Sequence, residues 1–211
     1  MMLTFERLVP APLEGNTAPD SIWQTGVSFS QGKLYSVYAP SGKGKSTLMH
    51  ILLGIRRDFS GLYAIDGKDS AAYTPDDWAG LRRDRLASVY QDLKLFPHIS
   101  AAENIAIKAS LTGFSSSRWR AMAERLGIAN LLERPCRTLS MGQQQRVAIV
   151  RALSQPFQYL LMDEPVSHLD RENARLVIDL ALEEAATQGA AVLLTGLNVQ
   201  DTPAQFQPVQ I

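Results

Sequence analysis

The chain has 211 residues, 45% of them hydrophobic and 20% charged, with 21 basic residues balanced by 21 acidic ones. That length buries a core without disulfides, in one large α/β domain or in a domain carrying a smaller subdomain. The single cysteine, Cys136, excludes an intrachain bridge and a cysteine metal cluster, and the neutral balance leaves no electrostatic footprint for a nucleic-acid partner.

Met1 to Arg7 has neither the basic start nor the apolar run of a signal peptide. No stretch approaches the roughly 20 apolar residues of a membrane span, so the expected location is the cytosol. Residues 2–9 and 21–30 read as strands, the first closed by Pro10-Ala11-Pro12 and the second by Gln31-Gly32. The apolar run Leu34 to Tyr38 is a third strand, and Leu48 to Leu53 reads as a helix. Gly61 to Gly67 is a short strand closed by Asp66-Gly67, and Thr74-Pro75-Asp76-Asp77 opens a helix. The strand Leu86 to Tyr90 runs into Gln91. From 92 to about 135 the apolar positions of Ala101–Leu111 and Ser117–Leu126 fall at helical spacing, which reads as a helical insertion. A helix start after Leu139-Ser140, a strand over Tyr159–Met162, a helix from about Arg171 to Gln188 and a buried strand over Ala190–Thr195 follow. Strands alternating with helices predict a mostly parallel sheet. Pro208 to Ile211 provides one further edge strand and leaves no room for a regulatory domain.

Two stretches carry chemistry. Between a strand and a helix lies Ala39-Pro40-Ser41-Gly42-Lys43-Gly44-Lys45-Ser46-Thr47, which matches a P-loop except for Ala39 in place of the first glycine. Its amides surround a polyphosphate and the helix N-terminus adds a favourable dipole. Lys45 is the residue to reach the β- and γ-phosphates, and Ser46 the one to bind Mg²⁺. The strand Tyr159–Met162 then delivers Asp163 and Glu164 to the carboxyl edge of the sheet, where ligands bind. Asp163 is assigned to Mg²⁺ through water, and Glu164 to polarising the water that attacks the γ-phosphate. A strand ending in two merely solvated acids is the plain alternative, which the P-loop upstream makes less attractive.

The order P-loop, Gln91, Leu139-Ser140-Met141-Gly142-Gln143-Gln144-Gln145-Arg146, then Asp163-Glu164-Pro165 resembles the nucleotide-binding subunit of ATP-binding cassette (ABC) transporters from about Leu3 to Thr195. The resemblance implies a P-loop ATPase core with a mostly parallel sheet, an N-terminal antiparallel β part and an inserted α-helical subdomain. The chain is then one ABC ATPase domain over 1–211, with its core at 1–91 and 156–211 and its helical signature subdomain at 92–155. ATP is held by Ser41 to Thr47, and Mg²⁺ by Ser46, Gln91 and Asp163, with Glu164 and Gln91 as the catalytic pair. Ser140, Met141, Gly142 and Gln143 form the signature, with Met141 where the family has a glycine. By the resemblance Ser140 contacts ATP held by a second ATPase subunit, identical or different, in a head-to-tail dimer that ATP closes and hydrolysis opens. Asp170 in Ser167-His168-Leu169-Asp170 belongs to the loop that crosses that interface, and it also suits the N-cap of the helix that follows. Phe96-Pro97 resembles the segment that receives a helix of a transmembrane permease-type partner, which makes the chain peripheral on the inner face of the cell membrane.

The chain departs from the family at two places. Gly196 stands where the family's switch histidine touches the γ-phosphate, and His50, His98 and His168 are the chain's only histidines. The loss of a charge-assisted hydrogen bond worth about 1.5–3 kcal/mol predicts slow or partner-dependent hydrolysis with ATP binding kept. Near the end of the first strand Pro12, Leu13 and Gly15 offer no aromatic to stack on adenine, and Trp23 reads as a packing residue, so base selectivity is expected to be loose. Leu132 to Pro135 lacks the glutamate-bearing loop of single-chain exporters, and the compact form resembles the ATPases of lipoprotein-release, macrolide-efflux and cell-division complexes. Two other readings compete. One is a nucleotide-gated scaffold with little turnover, which Gly196 favours; the other is a soluble ABC protein acting on ribosomes or DNA, which the neutral charge disfavours.

Overall fold

The computed structural model describes residues 1–40, 42–196 and 205–211. Two sheets form its frame. An antiparallel sheet is built from β1 (Met2–Pro10), β2 (Val27–Ser30), β4 (Phe59–Ile65) and β5 (Lys68–Asp69), in the order β2-β1-β4-β5. A parallel sheet is built from β3 (Leu34–Tyr38), β6 (Leu86–Val89), β7 (Tyr159–Met162), β8 (Ala191–Thr195) and β9 (Gln207–Gln210), in the order β6-β7-β8-β3-β9. In the parallel sheet β3 pairs with β8 and β8 with β7, so the carboxyl ends of these three strands stand side by side.

The strands are apolar on both faces because both faces are covered: every residue of β7 and of β8 is buried. One core packs the sheet against α4 (Ala101–Thr112), α5 (Ser116–Arg125), α6 (Met141–Leu153) and α7 (Arg171–Thr187). The other packs it against α2 (Lys45–Leu52), α3 (Pro75–Asp84) and the antiparallel sheet, around Phe5, Phe29, Tyr63 and Trp78. Tyr159 joins the two sheets. Its hydroxyl donates to the carbonyls of Phe29 at 2.6 Å and Met1 at 2.9 Å, and burial pushes its pKa well up.

The strand expected over residues 21–30 is extended only from Val27. Ser21 precedes a single helical turn, α1 (Ile22–Thr25), which Gly26 closes at a φ of 82°. Ile22 and Trp23 are adjacent and both buried, which an alternating strand with one solvated face does not allow. Trp23 packs face to face on Phe5, at 6.4 Å between ring centroids.

Two helices of the insertion, α4 and α6, begin on paired side-chain and backbone caps. Ser100 Oγ accepts from the Glu103 amide at 3.1 Å, and Glu103 Oε2 accepts from the Ser100 amide at 2.7 Å. Ser140 and Gln143 make the same reciprocal pair at the start of α6, at 3.3 and 2.9 Å. The bonds from Ser100 hold the Glu103 carboxyl below the usual glutamate range. Its contribution to stability is therefore present above the unfolded value of about 4.3, and it is lost as the pH falls through the lower folded value. The gap in thermal melts between the unsubstituted chain and Glu103→Ala is expected to be larger at pH 6 than at pH 3. Equal gaps at both pH values would contradict this.

Candidate functional site

The site grows from the aligned ends of β3, β7 and β8. After β3 the chain turns through Ala39, Pro40 and Gly42 to Gly44, which caps α2, and Ser46 and Thr47 follow in the first turn. The Lys45 ammonium donates to the Ala39 carbonyl at 2.9 Å and lies 3.5 Å from that of Pro40. Position 39 thus acts through its backbone oxygen, which alanine supplies as well as glycine. Ser41 lies outside the described residues.

After β7, Asp163 is 5% exposed and Glu164 bends the chain at a φ of 48°, a left-handed conformation that a glutamate adopts only when its surroundings hold it. Thr195, at the end of β8, supplies that hold. Its hydroxyl donates to Asp163 Oδ1 at 2.6 Å, and its oxygen accepts from the Glu164 amide at 3.1 Å. Gln145 on α6 adds a second brace, donating to the Glu164 carbonyl at 3.1 Å and accepting from the His168 amide at 3.2 Å. The Glu164 side chain meets Gln91, whose Nε2 donates to Glu164 Oε2 at 3.2 Å.

Ser46, Gln91 and Asp163 line one cavity of about 410 Å³, together with His50, Tyr90 and His168. Asp163 Oδ1 is committed to Thr195, which leaves Oδ2 for the cavity. A hydroxyl, an amide oxygen and one carboxylate oxygen suit a hard cation that keeps several waters, so the donor set fits Mg²⁺. A second cavity, of about 210 Å³, lies on the other side of the loop between Leu13, Asn16, Pro40 and Lys43. Trp23 reaches its wall but is only 1% exposed, so this cavity offers no open aromatic face.

Two glycines are fixed by close approach. A Cβ on Gly142 would lie 2.9 Å from the His168 carbonyl oxygen, so the start of α6 can pack on the loop after Glu164 only without a side chain there. Gly196 has a φ of 85°, and its Cβ would lie 2.6 Å from Glu164 Cγ and 3.1 Å from Glu164 Cα. Leu197 and Asn198, which follow it, lie outside the described residues.

Ser140 lines neither cavity and is exposed, and Met141 beside it is 47% exposed. Ser140 Oγ accepts from the Gln143 amide, which leaves its O–H free to donate outward. Asp170 caps α7, accepting from the Asn173 amide at 2.8 Å and from its side-chain amide at 2.7 Å. The Asn173 bonds hold its carboxyl below the usual range.

The residues that hold Asp163 and Glu164 in place were not legible in the sequence. Thr195 read as the last apolar-strand residue and Gln145 as one of three successive glutamines. Neither has a signal apart from the fold that brings it to Glu164. Gly196→Ala is expected to lower kcat for ATP on the order of 10- to 100-fold, because it displaces Glu164, while leaving nucleotide binding close to unchanged. Unchanged kcat in steady-state assays would contradict this.

Residues 24–167 match the family described as ABC transporter. The chain is 41% identical over 186 residues to the pyoverdine export ATP-binding/permease protein of Pseudomonas aeruginosa, a match that covers 85% of this chain and 28% of that protein. It is 33% identical over 189 residues to the lipoprotein-releasing system ATP-binding protein of Novosphingobium aromaticivorans, covering 88% of this chain and 84% of that one. It superposes on a dimeric bacterial ABC transporter cassette with a TM-score of 0.78 at 25% identity, covering 94% of this chain and 89% of the cassette. It also superposes on an ATP-bound bacterial Atm1-family ABC exporter with a TM-score of 0.81 at 25% identity, covering all of this chain and 36% of the exporter.

Proposed function

This chain belongs to the ABC transporter family, and on that footing we propose that it is the ATP-binding and ATP-hydrolysing subunit of a membrane transport complex. The observation that carries the reading is the joint placement of Ser46, Gln91 and Asp163 on one cavity beside the P-loop, with Glu164 bonded to Gln91.

In this reading the residues of 42–47, with Ser41, hold the triphosphate, and the Lys45 ammonium exchanges its loop carbonyls for phosphate oxygens. Ser46, Gln91 and Asp163 hold Mg²⁺, which supplies charge neutralisation at the phosphates. Glu164 accepts the proton of the attacking water, and Gln91 positions both. Thr195 keeps the two carboxylates apart in role, tying Asp163 by a hydrogen bond and turning Glu164 outward through its amide. Gly196 adds no donor at the γ-phosphate, so turnover is slow until a partner completes the site. The signature residues Ser140, Met141, Gly142 and Gln143 serve a different nucleotide. The free Ser140 O–H and the N-terminus of the 13-residue α6 point to a phosphate held by a second ATPase subunit. ATP then lies between two chains, with the Asp170 loop at their boundary.

The core at 1–91 and 156–211 and the helical subdomain at 92–155 move relative to one another as ATP closes the dimer. A transmembrane permease-type subunit receives that motion at the surface around Phe96, which is 55% exposed. The relatives named as ATP-binding/permease proteins support this partner, and no helix among the described residues is long and apolar enough to cross a membrane. The resulting location is cytoplasmic, at the inner face of the membrane. The second reading, a nucleotide-gated scaffold, is favoured by Gly196 alone and differs only in how much turnover follows binding.

Light scattering of Glu164→Gln with and without ATP tests the shared site. Dimerisation on ATP, reversed by adding Ser140→Ala to the same chain, is expected. A protein that stays monomeric at saturating ATP, alone and with its membrane partner, would overturn the reading.

A further inference from the structure

The cavity lined by Ser46, Gln91 and Asp163 has a further polar side chain on the loop that follows Glu164. His168, one of the chain's three histidines, lines that cavity and is exposed. Its imidazole is held from one side. Ser167 Oγ lies 2.9 Å from His168 Nδ1 and also donates to the Glu164 carbonyl at 3.1 Å. A carbonyl can only accept, so the single Ser167 proton goes to Glu164, and the Ser167 oxygen takes its second bond from Nδ1–H. This network assigns the proton of the neutral ring to Nδ1 and leaves a lone pair on Nε2. Nε2 has no partner among the described residues.

The backbone of the same residue is held as well. Its amide donates to Gln145 Oε1 at 3.2 Å, and its carbonyl oxygen packs where a Cβ on Gly142 would come within 2.9 Å. Gln145 also donates to the Glu164 carbonyl at 3.1 Å, so one side chain of α6 sets Glu164 and His168 relative to each other. Two other lining residues could offer an acceptor. His50, one turn after Ser46 on α2, has no hydrogen bond among the described residues that fixes its ring. Asp92 is paired with Lys94 at 2.5 Å. His168 is the acceptor that is both open and oriented.

A bound Mg²⁺ keeps several waters when few protein oxygens reach it, and its charge makes those waters strong donors. Such a water is held in place by a side chain that its own hydrogen bonds orient and that has a lone pair left over. We propose that His168 is a positioning residue for the metal, its Nε2 accepting a hydrogen bond from a water on Mg²⁺ while Ser167 fixes the ring. The inference rests on the reading of Ser46, Gln91 and Asp163 as the Mg²⁺ site, and it adds the residue that orders the metal's water.

The test is binding of a fluorescent, non-hydrolysable ATP analogue to the full chain, titrated with Mg²⁺ in a Ser140→Ala background that keeps it monomeric. His168→Leu is expected to raise the Mg²⁺ concentration at half of the Mg²⁺-dependent binding about tenfold or more. His168→Gln, whose amide oxygen reaches the place of Nε2, restores the original value. His168→Asn, which keeps the Ser167 contact and reaches only the place of Nδ1, does not. In EDTA all four proteins bind the analogue equally. An unchanged Mg²⁺ requirement in His168→Leu, no rescue by Gln, rescue by Asn, or a loss that persists in EDTA overturns the inference while leaving the metal reading intact. Rescue by Asn would assign the ring to loop packing, and a loss in EDTA would assign it to the phosphates. If binding to the chain with His168 in place shows no response to Mg²⁺, the metal reading falls and this inference falls with it.

Discussion

The hydroxyl of Thr195 is the joint on which the site depends. Parallel pairing of β7 with β8 brings the end of one strand beside the end of the other, with Met162 opposite Leu194. Thr195 then donates to Asp163 and accepts from the Glu164 amide. A single oxygen thereby separates two neighbouring carboxyl groups, one tied inward toward the Ser46 side of the cavity and one turned toward Gln91. The left-handed backbone of Glu164 is the cost of that turn, and Gln145 and Gly196 share in holding it. Because α6 carries both Gln145 and, at its N-terminus, Ser140, that serine and Glu164 are linked through one helix.

This connection gives a physical meaning to Gly196. A side chain there would occupy the space of Glu164, so the position does more than lack an imidazole: it admits the observed glutamate conformation. A histidine at 196 would have to displace Glu164 or reshape the end of β8. The packing that leaves no room for a side chain at 196 is the packing that holds Glu164 in its observed conformation.

Much of the architecture was legible in the residues. The P-loop, the strand ending in Asp163-Glu164 and the Ser140 signature are local motifs, and their meaning travels with a few adjacent side chains. Helices α3 and α6 announced their starts through Thr74 and Ser140, since a capping residue acts within three positions of itself, and α4 showed itself through apolar spacing over Ala101–Leu111. What stayed hidden depends on distant segments meeting. Ile22-Trp23 read as strand because two apolar neighbours fit either state, and only the contact of Trp23 with Phe5 decides. Thr195 and Gln145 become brace residues only when β8 and α6 both reach Glu164.

The central claim is that each nucleotide is held by Lys45 of one subunit and Ser140 of another. Mixing two inactive proteins, Lys45→Ala and Ser140→Ala, tests it most directly through ATP hydrolysis. A mixed dimer has one site with both defects and one with neither, so an equal mixture is predicted to regain about a quarter of the unsubstituted activity. A mixture that never exceeds the mean of its two components would contradict the account.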